Sequence, residues 1–157
     1  MSAPWPVAEE LEDAAATEAL GARLAALLLP RDLLLLEGPL GAGKTTLVRG
    51  LVAALGGNPG EVCSPTFVLL ESYPVTAARI ARVHHADLYR LRGQASAPLE
   101  EVGLGEALDD EEAITAVEWP ESWPWLAGVA ARTIRVHFAE LGEGRTARVA
   151  WPTADGG

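Results

Sequence analysis

The first third of the chain shows two patterns of apolar residues that predict different elements. Between residues 8 and 29, leucine and alanine recur at roughly helical spacing, which predicts an α-helix that ends before Pro30. Residues 32–37 contain four consecutive leucines, a pattern typical of a strand buried on both faces in a parallel sheet. A second helix is predicted over 44–55, where a pair of glycines ends it.

Short apolar or alternating runs in the rest of the chain predict mainly strands. Residues 113–118 predict another apolar strand, which ends in an acid. The pattern over 99–108 is broken by two glycines and predicts only short helical pieces, and 93–98 predicts a loop. The other predicted strands are 66–73 and 79–86, joined by a turn at Pro74, and 132–140 and 145–151, joined by a glycine-containing turn.

Residues 38–45, between the first strand and the second helix, read Gly-Pro-Leu-Gly-Ala-Gly-Lys-Thr and fit the phosphate-binding pattern G-x-x-x-x-G-K-[ST]. Gly41 and Gly43 permit torsions that let successive N–H groups turn inward on a phosphate. Lys44 is placed to reach the β- and γ-phosphate oxygens, and the Thr45 hydroxyl to ligate Mg²⁺. The predicted nucleotide contacts in this loop are Gly38, Gly41, Ala42, Gly43, Lys44, Thr45 and Thr46.

This strand, loop and helix predict an α/β fold, a single P-loop NTPase-like domain with a mixed, mostly parallel sheet flanked by helices. The domain is expected to span residues 1–157, with a core at 8–151 and a disordered tail at 152–157. No internal repeat is visible, and no linker is long enough to divide the chain.

Two acidic residues follow apolar strands and are candidates for the side of the site opposite the loop. Asp87 follows the run that ends at Ala86, and Glu118 follows the strand at 113–117. Either carboxylate could hold Mg²⁺, directly or through water, or orient the attacking water. The pattern leaves open which acid has which role.

The sequence favours ATP over GTP. Guanine-specific proteins carry an Asn/Thr-Lys-x-Asp motif, and Lys44 is the one lysine in the chain. A transporter ATPase would need a Ser-Gly-Gly signature and a longer chain. A small-molecule kinase remains an alternative, with Arg90 and Arg92 as candidates for an arginine-bearing lid.

Composition indicates which partners and which cellular compartment to expect. The net charge of −10 repels a long phosphate backbone, so the arginines near 79–92 predict a mixed-charge surface, and direct tRNA contact stays open. The acidic run 109–112 predicts a solvated loop, and His84 and His85 should point to opposite faces of a strand. With Cys63 as the one cysteine and neither a signal peptide nor a membrane span visible, we expect an inert thiol and a cytoplasmic protein.

Four segments in order, 37–50, 64–67, 85–90 and 118–121, give the chain a specific resemblance. The set resembles the bacterial TsaE (YjeE) family, the P-loop ATPase of tRNA threonylcarbamoyladenosine modification, over about residues 8–140. The resemblance implies an ATPase that is feeble alone and works with the threonylcarbamoyl transferase TsaD and its partner TsaB. It also implies that ATP binding and hydrolysis reset the transferase between turnovers.

The resemblance carries roles to individual residues. Lys44, Asp87 and Glu118 become the catalytic residues, and Thr45 joins the two acids as a metal ligand. Segment 64–67 resembles the family's switch-like loop, which implies that Thr66 senses the γ-phosphate. Trp119 lies near the nucleotide in the family pattern, with a core aromatic as the alternative. Pro39 departs from the acidic or polar residue more usual there, and stiffens the entry to the loop.

The sequence leaves two hypotheses for the use of ATP. No arginine in the sequence stands out as a finger, which suggests that a partner completes the site and that intrinsic activity is weak. The opposing hypothesis is a regulatory binder, in which ATP occupancy matters only for docking and hydrolysis is irrelevant.

Overall fold

The computed structural model describes residues 8–39, 41, 43–63, 69–94, 96, 99–142 and 144–152. Ala42, Thr66 with the rest of 64–67, and residues 153–157 of the expected tail lie outside the described residues. Among the residues described, no helix combines the length and the apolar character needed to cross a bilayer.

The strands of the described residues form one seven-stranded sheet in the order β1-β7-β6-β2-β5-β4-β3. The neighbours β6, β2, β5 and β4 are parallel, and β7 and β3 are antiparallel to the strands beside them. Five strands therefore share one direction, which confirms the predicted mixed α/β sheet. The bounds are β1 Glu9–Leu11, β2 Leu33–Glu37, β3 Leu70–Pro74, β4 Arg82–Asp87, β5 Ala113–Glu118, β6 Thr133–Leu141 and β7 Gly144–Ala150.

The helix predicted over 8–29 is shorter than expected and follows a strand. Residues Glu9–Leu11 pair with β7 as β1, and the helix α1 is Ala14–Ala25. Asp13 begins it, because its side chain accepts a hydrogen bond from the Ala16 N–H at 2.8 Å and satisfies a donor of the first turn.

The remaining elements follow the predicted pattern closely. The second helix, α2, is Lys44–Ala54, and residues 99–108 split into a 3-10 turn, Leu99–Val102, and the short helix α3, Leu104–Leu108. Further 3-10 turns cover Pro59–Glu61, Tyr89–Leu91 and Pro124–Gly128. Pro74 is the last residue of β3 and not part of the turn. An edge strand such as β3 tolerates proline because no further strand of the described sheet lies on its outer side to need an N–H donor.

Two hydrophobic cores lie on the two faces of the sheet. The face that bears Leu34 and Leu36 packs against α1 and α2, and we call it the α1–α2 face. The face that bears Leu33 and Leu35 packs against Leu104 of α3 and the buried Trp123, and we call it the α3 face. Both faces are covered, which accounts for the unbroken leucine run of β2.

Glycines set the distance between α1 and α2. A Cβ on Gly21 would lie 2.2 Å from the carbonyl oxygen of Leu47, and one on Gly50 would lie 2.1 Å from that of Glu18. These separations are far below van der Waals contact, so the two helices touch backbone to backbone. The contact fixes α2, and with it the loop that begins α2, against the rest of the α1–α2 face.

Candidate nucleotide site

The loop between β2 and α2 has the backbone that the sequence predicts for a phosphate cradle. Gly38, Gly41 and Gly43 have φ values of 139°, 72° and 107°, a region that side chains disfavour. A Cβ on Gly38 would lie 2.8 Å from the Cβ of Phe138, so β6 supports the loop from behind. Gly43 begins α2 without a side-chain cap, which leaves the first-turn N–H groups for an anion.

Lys44 is buried at the start of α2. Its ammonium group donates to the carbonyl of Gly38 and, at 3.1 Å, to that of Pro39. The Nζ atom also lies 3.6 Å from the centre of a ring of Trp119, a cation–π contact. The structure therefore brings Trp119 to the loop, and its φ of 63° is a left-handed conformation rare for a bulky residue.

The charge of Lys44 lies in the field of several acids. Burial lowers the pKa of Lys44 from its ordinary value, and the negative charges of Glu118, Glu121 and Asp87 act in the opposite direction. Both predicted acids are thus electrostatic neighbours of the loop lysine. Glu121 is a third acid at this site that the sequence analysis did not assign.

The two predicted acids end neighbouring strands. Asp87 of β4 and Glu118 of β5 are register partners, and both are buried. The Thr45 hydroxyl donates to Oε2 of Glu118 at 2.8 Å, which joins the first turn of α2 to the end of β5. Oδ1 of Asp87 accepts from the backbone N–H of Tyr89 at 3.0 Å, while Thr46 is half-buried in the first turn of α2.

Two residues that the sequence analysis did not place in the site contact it. His85 is buried and bonds to Oε2 of Glu118 through Nε2 at 2.6 Å. Arg145 at the start of β7 donates from Nη1 to the carbonyl of Gly41 at 2.8 Å. His85 begins segment 85–90 of the family resemblance, which assigned it no role, and Arg145 had only the strand alternation of β7 as a signal. Both contacts join distant parts of the chain.

His84 and His85 point to opposite faces of β4, as expected. His84 contacts Oδ2 of Asp110 at 2.8 Å on the α3 face. The described residues contain no group of three or more His, Cys, Asp or Glu side chains arranged to hold a metal ion.

The prediction of a solvated loop over 109–112 was wrong for Asp110. Its side chain is part-buried, and Arg82 donates to it from Nε at 2.7 Å and from Nη2 at 2.9 Å. The hydrogen bonds from Arg82 hold the pKa of Asp110 well below its ordinary value. The run of four acids predicted exposure to solvent, whereas the register of β4 beside β5 brings Arg82 to one of them.

Comparison with known proteins identifies relatives of this chain. Residues 11–148 match the family model described as threonylcarbamoyl adenosine biosynthesis protein TsaE. The tRNA threonylcarbamoyladenosine biosynthesis protein TsaE of Synechocystis is 41% identical over 116 residues, which cover 74% of this chain and 71% of that protein. The protein of the same name from Mycobacterium leprae is 34% identical over 149 residues, covering 92% and 89%.

A solved structure shares the fold. The crystal structure of Bacillus subtilis YdiB matches with a TM-score of 0.63 and 24% identity over 91% of this chain and 84% of that chain. The family model spans nearly the whole described sheet, from β1 to β7. The chain therefore belongs to the TsaE family of tRNA threonylcarbamoyladenosine biosynthesis proteins.

Proposed function

We propose that residues 1–157 form a single cytoplasmic ATPase domain with its core at 8–151, which binds ATP and Mg²⁺ and hydrolyses ATP weakly. It would act with TsaD and TsaB in the threonylcarbamoyladenosine modification of tRNA. The observation that carries the proposal is the contact of 2.8 Å between the Thr45 hydroxyl of the phosphate loop and Glu118, whose register partner is Asp87.

The loop fits a nucleotide phosphate. The loop combines three glycines with positive φ, an uncapped helix N-terminus and the buried ammonium group of Lys44. Each of these favours an anion, and a side chain at Gly38 would clash with β6. In the proposed site the N–H groups of Gly41, Ala42 and Gly43 and the side chains of Lys44 and Thr46 bind phosphate oxygens. Thr66 and Trp119 complete the proposed nucleotide contacts.

The neighbouring oxygen atoms fit Mg²⁺. Thr45, Asp87 and Glu118 offer hydroxyl and carboxylate oxygens, the hard ligands that Mg²⁺ prefers. A small number of protein ligands is usual where phosphates of the substrate complete the coordination. Bound Mg²⁺ would neutralise charge on the β- and γ-phosphate oxygens. One acid holds the ion and the other orients the attacking water, while Lys44 stabilises the charge on the transferred group.

Two variants separate the roles of the acids. A substitution of the metal-holding acid, tested as Asp87→Asn or Glu118→Gln, raises the Mg²⁺ concentration needed for half-maximal nucleotide binding. A substitution of the water-orienting acid leaves that concentration unchanged and lowers kcat. Equal effects of the two variants on both quantities would contradict a division of roles.

The kinase alternative receives no specific support. Arg92, one of the two arginines expected in a lid, lies over the ring of Tyr89 with its Cζ 3.5 Å from the ring centre. The family relatives are named for tRNA modification and not for transfer to a small acceptor.

The decisive experiment is ATP hydrolysis by the purified protein, alone and with TsaD and TsaB, with Lys44→Ala as the blank. We expect a low rate that rises when the partners are added. A rate independent of the partners, or transfer of phosphate to a small acceptor, would contradict the proposal. Complementation of a depleted strain by Glu118→Ala would instead support the regulatory binder, in which hydrolysis is irrelevant.

A further inference from the structure

His85 has more contacts than the proposed site explains. It is fully buried on the α1–α2 face, and both ring nitrogens have partners. Nε2 bonds to Oε2 of Glu118 at 2.6 Å, and Nδ1 lies 3.0 Å from the hydroxyl of Tyr73 on β3. A carboxylate oxygen only accepts hydrogen bonds, so Nε2 is the donor to Glu118.

The Tyr73 hydroxyl extends this chain of contacts to a loop. It donates to the carbonyl oxygen of Cys63 at 3.3 Å. Burial raises the pKa of Tyr73 to about 12, so the hydroxyl keeps its proton at neutral pH.

The four contacts form a continuous path. They join Thr45 to Glu118, Glu118 to His85, His85 to Tyr73, and Tyr73 to the backbone of Cys63. His85, Glu118 and Tyr73 are buried, so water does not replace a hydrogen bond that is lost along the path.

We propose that His85 and Tyr73 are positioning residues that couple the Thr45–Glu118 pair to the backbone of Cys63, so that nucleotide binding at the loop changes the environment of Cys63. This rests on the proposed function, because it requires nucleotide and Mg²⁺ at Thr45.

The coupling follows from the single proton of the Tyr73 hydroxyl. In the neutral imidazole whose Nε2–H donates to Glu118, Nδ1 is an acceptor. Nδ1 of His85 at 3.0 Å and the Cys63 carbonyl at 3.3 Å then compete for that proton. When Glu118 or Thr45 changes its partners, the imidazole of His85 moves with the carboxylate of Glu118. The buried Nε2–H donor cannot form a replacement hydrogen bond to water. A shift of the ring alters its distance from Tyr73 and therefore the strength of the bond to Cys63.

Cys63 supplies the readout for a direct test. Its side chain is exposed, and it is the one thiol in the chain, so the rate of its reaction with DTNB reports on this position alone. The rate is measured without nucleotide, with MgADP and with a non-hydrolysable Mg-ATP analogue. In the unmodified chain, we expect the analogue to change the rate by about threefold or more.

Tyr73→Phe removes one oxygen atom and cuts the path beside Cys63. We expect nucleotide affinity to stay within about twofold while the DTNB rate no longer responds to nucleotide. His85→Gln, whose amide can still donate to Glu118, should lose the response in the same way. The matched control is His84→Gln, on the neighbouring residue of β4 and the opposite face, which should keep the full response.

The outcomes separate this inference from the proposed function. Nucleotide binding with an unchanged DTNB rate in the unmodified chain, or a full response in Tyr73→Phe, would overturn the coupling and leave the ATPase proposal standing. Failure of the unmodified chain to bind nucleotide would refute the proposed function and the coupling with it. A response lost equally in His84→Gln would show a general effect of β4 and would also overturn the assignment.

Discussion

The two faces of the sheet carry polar clusters built from the same kinds of groups. On each face a histidine of β4 contacts a hydroxyl of β3 through Nδ1 and a carboxylate through Nε2. The α1–α2 face has Tyr73, His85 and Glu118, and the α3 face has Ser72, His84 and Asp110.

The clusters differ in what surrounds the carboxylate. Asp110 is neutralised within the chain by two hydrogen bonds from Arg82, and its side chain is 17% exposed. Glu118 is 4% exposed and accepts from the neutral hydroxyl of Thr45, next to the phosphate loop. A carboxylate whose charge is paired by an arginine of the same chain stabilises the fold, whereas one that accepts from a threonine hydroxyl next to the phosphate loop can meet a ligand. The same three groups therefore have a structural role on one face and a proposed catalytic role on the other.

The strongest test of this difference compares the two carboxylates by the same change from acid to amide. Glu118→Gln should lower kcat by about 100- to 1000-fold, because it removes the charge that holds the metal or orients water. Asp110→Asn should leave kcat within about twofold. Phosphate release at saturating ATP measures both. A comparable loss in both variants would mean that the faces are not functionally distinct.

The packing of the two faces can be compared through one glycine in a helix on each. A Cβ on Gly21 of α1 would overlap the backbone of α2, whereas a Cβ on Gly105 of α3 would meet nothing within 4 Å. Gly21→Ala should therefore lower the free energy of unfolding by about 2–3 kcal/mol through overpacking. Gly105→Ala should leave it unchanged or raise it by up to about 1 kcal/mol, because alanine favours a helix.

Urea unfolding followed by circular dichroism measures both glycine variants. Nucleotide affinity should fall in Gly21→Ala and not in Gly105→Ala, since α2 carries the phosphate loop. Equal stability of the two variants would show that α1 and α2 can separate at little cost.

Arg145 and Arg148 provide a third comparison, on alternate sides of β7. Arg145 lies on the α1–α2 face and donates to the loop at Gly41, whereas Arg148 is exposed on the other side. Arg145→Ala should weaken nucleotide binding by about fivefold, the equivalent of one hydrogen bond of about 1 kcal/mol. Arg148→Ala should bind nucleotide with the affinity of the unmodified chain. Titration calorimetry with MgADP measures both variants. Equal affinities for both variants would remove Arg145 from the site.

Sequence alone was sufficient to locate the parts of the candidate site that are local in the chain. The glycines, Lys44 and Thr45 lie within eight consecutive residues whose spacing determines the loop, and the apolar runs of β4 and β5 locate Asp87 and Glu118 at strand ends. The carboxyl ends of parallel strands meet at one edge of the sheet, so their approach to the loop follows from the fold class.

Contacts that depend on the register and order of the strands could not be predicted from the sequence. The bond from Arg145 to Gly41 joins residues 104 positions apart, and it requires β7 to lie two strands from β2. The strand β1 has three residues, too few for a periodicity to show, and its pairing with β7 decides its conformation. The bond from His85 to Glu118 likewise depends on β4 lying beside β5.

The smallest expected effect is on acid stability and belongs to the α3 face. Arg82 holds the pKa of Asp110 below its ordinary value of 3.8, so the folded state favours the ionised form. The resulting stabilisation is present when the pH is above 3.8. It is lost as the pH falls from 3.8 towards the lower pKa of Asp110 in the folded state. Because Arg82 is exposed, water screens the pair and the effect should be modest. Asp110→Asn should therefore be less stable than the unmodified chain at about pH 7, and the difference should shrink at about pH 3. Urea unfolding at both pH values measures it, and a difference that stays constant or grows on acidification would show that the charge of Asp110 does not stabilise the α3 face.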